Sequence, residues 1–221
     1  MITLHHLDHS RSHRVIWFLE ELQVPWEMVT WQREGSLLAP PGLKQIHPLG
    51  KAPIIEDREQ VIAESAVILE YLQENYDPLN RFKPHHVGDA QNYRYWMHYA
   101  EGSLMPLLMI RLVLGKLGQS PVPWLLRPVG RALSHGIQSK WLSGQLKTHA
   151  DFLEKHLCAH RWFAGSNFSA ADIQMSFPVL ALLARNESQQ LPALVDWRNR
   201  IQEREAYQTA VQKGGPLFMP D

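Results

Sequence analysis

The feature that most limits what this chain can fold into is a change of pattern near residue 77. Up to Tyr76, short apolar runs of strand length alternate with helical periodicity. Beyond Asp89, helical periodicity alone continues. The stretch between, "DPLNRFKPHHVGD", carries two prolines and a glycine and reads as a linker. The 221 residues therefore divide into an α/β domain over 1–77, a linker over 78–89 and an all-helical domain over 90–221. That length can bury two cores without covalent staples.

In the first part, "ITLHHL" (2–7) is the first strand. Val15, Ile16, Leu19 and Leu22 then recur at helical spacing until Pro25 stops the helix. "WEMVTW" (26–31) alternates as a second strand, and "PPGLKQIHPLG" holds at most one short helix. "APIIED" and "QVIAES" form a hairpin across "DREQ", and a helix from Glu64 presents Val67, Ile68, Tyr71 and Leu72. In the second part the spacing predicts a helix over 90–117 kinked at Pro106, a Pro-rich interruption "GQSPVPWLLRPVG", and helices over 131–158, 170–185 and 191–206.

Balanced charge, with 22 basic and 22 acidic residues, argues against a nucleic-acid or membrane-surface partner. No apolar run reaches the roughly 18 residues of a membrane span, and the first residues lack the pattern of a signal peptide, so a cytoplasmic protein is expected. Cys158 is the only cysteine, which excludes an intramolecular disulfide, a CxxC pair and a zinc–thiolate cluster. Its apolar helical surroundings suggest a packing role.

The densest polar stretch is "LDHSRSHR" (7–14). A serine-hydrolase triad does not fit, because residues one or two apart do not converge on a strand or helix and there is no G-x-S-x-G elbow. Metal binding is disfavoured too: His5 and His6, adjacent on a strand, face opposite ways, and His9 precedes the helix, so its spacing to His13 is not helical. Ser10 or Ser12 suits the helix N-cap, and a helix N-terminus attracts anions, thiolates included.

Three other motifs stand out. In "HPLGKAPIIE", Pro53 opens a strand, either as an ordinary trans proline or with a cis Ala52–Pro53 bond that turns the Ala52 backbone outward. Lys51 there is a solvated loop residue or a carboxylate partner. In "IAES", Ser65 is a cap whose neighbouring free N–H groups suit a carboxylate, and Glu64 could receive an ammonium; the pair suits an α-amino-acid head group. "FSAAD" is a capping box of Ser169 and Asp172, with Phe168 and Ile173 as a staple, and is read as purely structural. Trp96, Tyr95 and Met105 could line a pocket, though such residues are more often core.

The order of these features resembles the cytosolic glutathione transferase family over nearly the whole chain. "LDHSRSHRVIWFLEEL", "APPGLKQIHPLGKAP" and "IAES" are most similar to its fungal and bacterial members, of the serine type. The resemblance implies a thioredoxin-like first domain and glutathione as co-substrate. It also implies that Ser10, four residues before Arg14, touches the glutathione sulfur, with Ser12 in reserve. Ala52 before a cis Pro53 would pair with the cysteinyl backbone, and Glu64 and Ser65 would grip the γ-glutamyl end. Lys51, and less directly His47 or Arg11, would answer the glycyl carboxylate. The electrophile would lie between the domains against the first long helix of the second, at Tyr99, Ser103 and Leu107. Many members of the family are homodimers, and a homodimer is expected here.

A free thiol titrates near 8.5, and lowering that by two units takes about 2.7 kcal/mol of preference for the anion. A hydroxyl bond to charged sulfur contributes about 1.5–3 kcal/mol and a helix terminus about 0.3–1 kcal/mol. Ser10 would thus act as a donor that stabilises a thiolate, without being the nucleophile. The implied activity is conjugation of glutathione to a hydrophobic electrophile. Peroxide reduction, thioether cleavage and a non-catalytic binding module are the alternatives. The missing active-site cysteine weakens a disulfide route, and the completeness of the site weakens the binding module.

Overall fold

The computed structural model describes residues 1–33, 38–184 and 190–217. Its single sheet has the order β2-β1-β3-β4, so β1 (Ile2–Leu7) and β3 (Ile54–Asp57) are the inner strands and β2 (Trp26–Trp31) and β4 (Gln60–Ala63) the edges. β1 runs parallel to β2, which requires a crossover helix, and antiparallel to β3. That crossover is α1 (Ser12–Leu22), whose apolar residues are enclosed on every side: Trp17 and Phe18 are as buried as the expected stripe of Val15, Ile16 and Leu19. Its polar end is held from outside, where Glu21 takes Arg204 through Nε at 2.5 Å and Nη2 at 2.7 Å. With α2 (Leu43–Ile46), the β3–β4 hairpin and α3 (Ser65–Tyr76), this is a thioredoxin-like domain in the element order expected.

The second domain is helical and begins with α4 (Val87–Tyr99), three residues ahead of Ala90. The single kinked helix expected to Leu117 is instead α4, a π-helical turn over Ala100–Leu104, and α5 (Met105–Lys116). Pro106 sits in the first turn of α5, where its missing N–H falls within the wider ladder of the π turn. The pattern repeats in α6 (Arg127–Ile137), a π turn over Gln138–Leu142 and α7 (Ser143–Ala159), with Pro128 in the first turn of α6. α6 thus begins inside the stretch read as an interruption, after a 3₁₀ turn at Trp124–Leu126.

α8 (Ala170–Leu183) is hydrophobic on all sides and enters the core behind the Ser169–Asp172 capping box. Asp172 is fully buried and accepts from the Phe163 N–H at 3.0 Å, Trp197 Nε1 at 3.0 Å and the Ser169 N–H at 3.1 Å. Burial pushes its carboxyl up to about 6, while these donors pull the other way. The Phe168 ring packs on Trp17, Phe82 and Trp162 and lies under Arg204, joining the two domains. The helix expected over 191–206 is two: α9 (Pro192–Gln202) and α10 (Glu205–Gly214). α10 packs along α1 in the first domain, a return that its own periodicity does not announce. Cys158 is exposed at the end of α7, 3.9 Å from Glu154 Oε1, and so is not a packing cysteine. Trp96 and Met105 are core; Tyr95 is exposed. No helix among the described residues is long and apolar enough to cross a membrane.

Candidate active site

The sheet brings the sequence-distant motifs to one end. β1 pairs with β3 as His5↔Ile54, and β3 pairs with β4 as Ile54↔Ala63. The carboxyl end of β1, the Ala52–Pro53 dipeptide before β3, and Glu64–Ser65 after β4 therefore lie along the same edge. The Ala52–Pro53 bond is cis. Glu64 occupies the N-cap of α3 with φ 72° and makes no side-chain cap, so the cap position expected of Ser65 falls one residue earlier and Ser65 is the first helical residue. A glutamate held at positive φ costs about 1–3 kcal/mol and marks this turn as one fixed by its surroundings. Glu64 is exposed and Ser65 buried; Lys51 is exposed and His47 half-buried, its Nδ1 accepting from the Leu49 N–H at 3.4 Å.

Across from them, the chain leaves β1 through His9, at φ 52°, and enters α1. Ser10 Oγ accepts from the Ser12 N–H at 3.2 Å, and the His13 N–H reaches the Ser10 carbonyl at 3.3 Å. With the Arg14 N–H bonded to the Arg11 carbonyl, the first N–H groups of α1 are met locally. The helix terminus thus acts on an anion through its dipole, and a direct bond falls to a hydroxyl. The two candidate serines separate here. Ser12 is fully enclosed, its Oγ bonded to His6 Nδ1 at 2.8 Å, to the Leu7 N–H at 3.2 Å and to Ser10 Oγ at 2.7 Å. Ser10 retains 8% exposure at the outer end of this chain.

Arg11 is turned towards the second domain, its Nε 3.2 Å from Glu101 Oε1. The same carboxylate oxygen takes Arg14 Nη1 at 2.6 Å. Arg14 is fully buried; burial lowers it to about 10, against the pull of Glu101. Both guanidinium carbons stand over the Phe177 ring, at 5.7 and 5.5 Å. Sequence reading used Arg14 only to mark the spacing to Ser10 and did not single out Glu101 or Phe177. Glu101 lies in the π turn, and that turn undoes the i, i+4, i+8 stripe expected of Tyr99, Ser103 and Leu107. Tyr99 is buried in an aromatic cluster with Trp96 and Phe152, its hydroxyl bonded to His149, whereas Ser103 and Leu107 are half-buried. His5 and His6 do face opposite ways: His5 Nε2 lies 2.6 Å from Glu56 Oε1, and His6 turns to Ser12.

A thioredoxin-like domain whose sheet end gathers a hydroxyl, a cis-proline strand start and an acid–hydroxyl pair, backed by a helical domain, defines a class of thiol-binding enzymes. Two family models match the chain: glutathione S-transferase N-terminal domain over residues 10–75 and glutathione S-transferase C-terminal domain over residues 138–205. The chain is 39% identical to Glutathione S-transferase 3 of Schizosaccharomyces pombe over 96% of its own length and 88% of that protein's. It is 33% identical to Glutathione S-transferase 1 of Saccharomyces cerevisiae, over 98% and 97%. Among solved structures, a glutathione S-transferase from Actinobacillus pleuropneumoniae superimposes with a TM-score of 0.77 at 31% identity, covering 98% of this chain and 94% of that one. The chain belongs to the glutathione S-transferase family.

Proposed function

We propose that this protein joins the thiolate of glutathione to hydrophobic small-molecule electrophiles, with Ser10 as the hydroxyl that holds the sulfur anion. The observation that carries the reading is the contrast between the two serines: Ser12 is fully buried with its hydroxyl engaged by His6 and Leu7, while Ser10, at the start of α1, retains 8% exposure. Glu64 and Ser65 take the γ-glutamyl amine and carboxylate, the backbone of Ala52 before Pro53 pairs with the cysteinyl unit, and Lys51 with His47 meets the glycyl carboxylate. Arg11, committed to Glu101, shapes the floor between the domains. Ser103 and Leu107, half-buried on the second-domain side, border the electrophile, and Tyr99 supports them from the core.

We assign the activity to detoxification in the cytoplasm, in keeping with the glutathione S-transferase family to which the chain belongs. We also propose a homodimer, supported by exposed apolar side chains at Met109, Ile110 and Val113 on α5; sedimentation velocity at micromolar concentration tests it. The test of the activity is a pH titration of the thiolate absorbance of bound glutathione in wild type and Ser10→Ala. The expected result is a bound thiol pKa about two units below its free value in wild type, moved back towards 8.5 by the substitution with affinity kept. An unshifted bound thiol would overturn the assignment.

A further inference from the structure

The equal numbers of acidic and basic residues hide a segregation. Residues 102–150 carry six Lys and Arg and no Asp or Glu, so the acidic excess lies elsewhere in the chain. This stretch runs from the first π turn through α5, the 3₁₀ turn at Trp124–Leu126, α6 and the second π turn into α7.

Within it, α6 is inverted relative to a core helix. It is the most amphipathic of the described helices, yet its only buried residue is Ser134. The line that packs near the end of α5 is Gly130, Ser134 and Gln138. A Cβ on Gly130 would lie 2.2 Å from the Leu117 carbonyl oxygen, and Gln138 Nε2 donates to Ser134 Oγ at 2.7 Å. The neighbouring line, Val129, Leu133 and Ile137 at i, i+4 and i+8, stays exposed, and Trp141 follows four residues on. Trp124, Leu125 and Leu126 stand exposed just before the helix, each by more than half. A small and polar line is packed while the aliphatic line is left in water, which marks a contact surface.

The charges say what kind of partner fits. Lys116, Arg131, Lys140 and Lys147 are exposed in the same stretch, and of these only Lys147 meets a carboxylate among the described residues, that of Asp151 one turn away. A two-fold contact between copies through this face would set its cations against one another. A nucleic acid would match the charge but leave the aliphatic line uncovered. We infer that α6 and the turns at its two ends dock on a bilayer that contains anionic phospholipid. Leu133 and Ile137 enter the boundary between headgroups and acyl chains, and Arg131 and Lys140 reach the lipid phosphates on their long stems. Trp124 and Trp141, before and after α6, suit the headgroup level, where indole rings concentrate. No described helix is long and apolar enough to cross the bilayer, so the contact is peripheral.

The surface uses no residue assigned to glutathione or to the electrophile, and it lies beside the α5 side chains assigned to the homodimer. Docking is thus independent of the transferase reading. Under that reading it brings the enzyme to the phase in which hydrophobic electrophiles collect, since α5 also carries Leu107 at the electrophile's border.

The test is co-sedimentation of the whole protein with vesicles of phosphatidylcholine alone and of phosphatidylcholine with about one-third phosphatidylglycerol, at about 0.1 and 0.5 M salt. The expected result is binding to the anionic vesicles, at least about tenfold weaker on phosphatidylcholine and at the higher salt. Each cation near such a surface contributes about fivefold, so Arg131→Gln with Lys140→Gln should lower the partition about 25-fold. Leu133→Gln with Ile137→Gln should lower it at both salt concentrations. Wild type that stays in the supernatant with anionic vesicles, or that binds both vesicle types equally, overturns the proposal. Unchanged binding by both double variants overturns the assignment to α6. Wild type that ignores vesicles, together with a Leu133→Gln, Ile137→Gln variant that changes from dimer to monomer in sedimentation velocity, would give the face to a second copy instead. The wild-type comparison needs neither variant to fold, and turnover with glutathione, measured without vesicles, reports on the transferase reading separately.

Discussion

Replacing Glu101 with glutamine should loosen the contact that sets the first turn of α1 against the second domain. Arg14 is fully buried, and among the described residues Glu101 is the only carboxylate it meets: Nη1 to Oε1 is 2.6 Å, while Nε and Nη2 find no acceptor there. Phe177, 5.5 Å below the guanidinium carbon, compensates through its ring face only. Removing one partner of a buried pair costs about 3–5 kcal/mol, because the remaining charge stays buried. The Glu101 side chain is 35% exposed, so water reaches it and the lower end, about 3 kcal/mol, applies. For a chain of this size that is a fall of roughly 6–12 °C in melting temperature. The expected companion result is that Arg14→Met with Glu101→Leu recovers most of the loss, since an apolar pair leaves no buried charge. Urea unfolding of wild type, Glu101→Leu, Arg14→Met and the double variant closes a cycle that gives the coupling directly. A loss below about 1 kcal/mol in Glu101→Gln, the level of an exposed ion pair, would refute the reasoning.

Three further outcomes follow from single positions. A Cβ on Gly214 would lie 2.5 Å from the buried Ile16 Cδ1 and 3.4 Å from His6 Cε1; Gly214→Ala should therefore lose about 1–2 kcal/mol in urea unfolding instead of showing the usual gain of glycine-to-alanine in a helix, and Ile16→Val should restore part of it. His13, with its pKa lowered to about 4 by burial first and His6 second, stays neutral in the fold while the unfolded chain protonates near 6.5, so its stabilisation is present above pH 6.5 and lost as pH falls towards 4; the full loss is about 3 kcal/mol. Asp172 runs the other way, its contribution complete below its unfolded value and lost as pH rises through about 6. Melting curves between those limits should thus show a weaker acid dependence in His13→Phe than in wild type, and an unchanged slope would refute the assignment. Asp172→Asn turns an amide group towards N–H donors at Phe163, Ser169 and Trp197; it should cost about 2–4 kcal/mol in urea unfolding and release the Trp197 indole, seen in its fluorescence.

Local chemistry accounts for what was legible in the sequence. The run of Val15, Ile16, Leu19 and Leu22, the hairpin about "DREQ", the Ser169–Asp172 box and the proline-rich joint at 77–89 are short-range patterns, and each states its own conformation. The opposite facing of His5 and His6 follows from the pleat alone. Tertiary structure decided everything that depends on who meets whom. Tyr99 and Ser103 keep helical spacing in the sequence, yet a π turn between α4 and α5 sends Tyr99 to the core and Glu101 to Arg14, because a single extra residue per turn shifts the phase. Cys158 carries no local sign that its face of α7 is left uncovered. The outer partner of His6, whose other ring nitrogen meets Ser12, is a carbonyl 208 residues away at the end of α10. No periodicity can encode that contact, since it exists only once α10 has packed along α1.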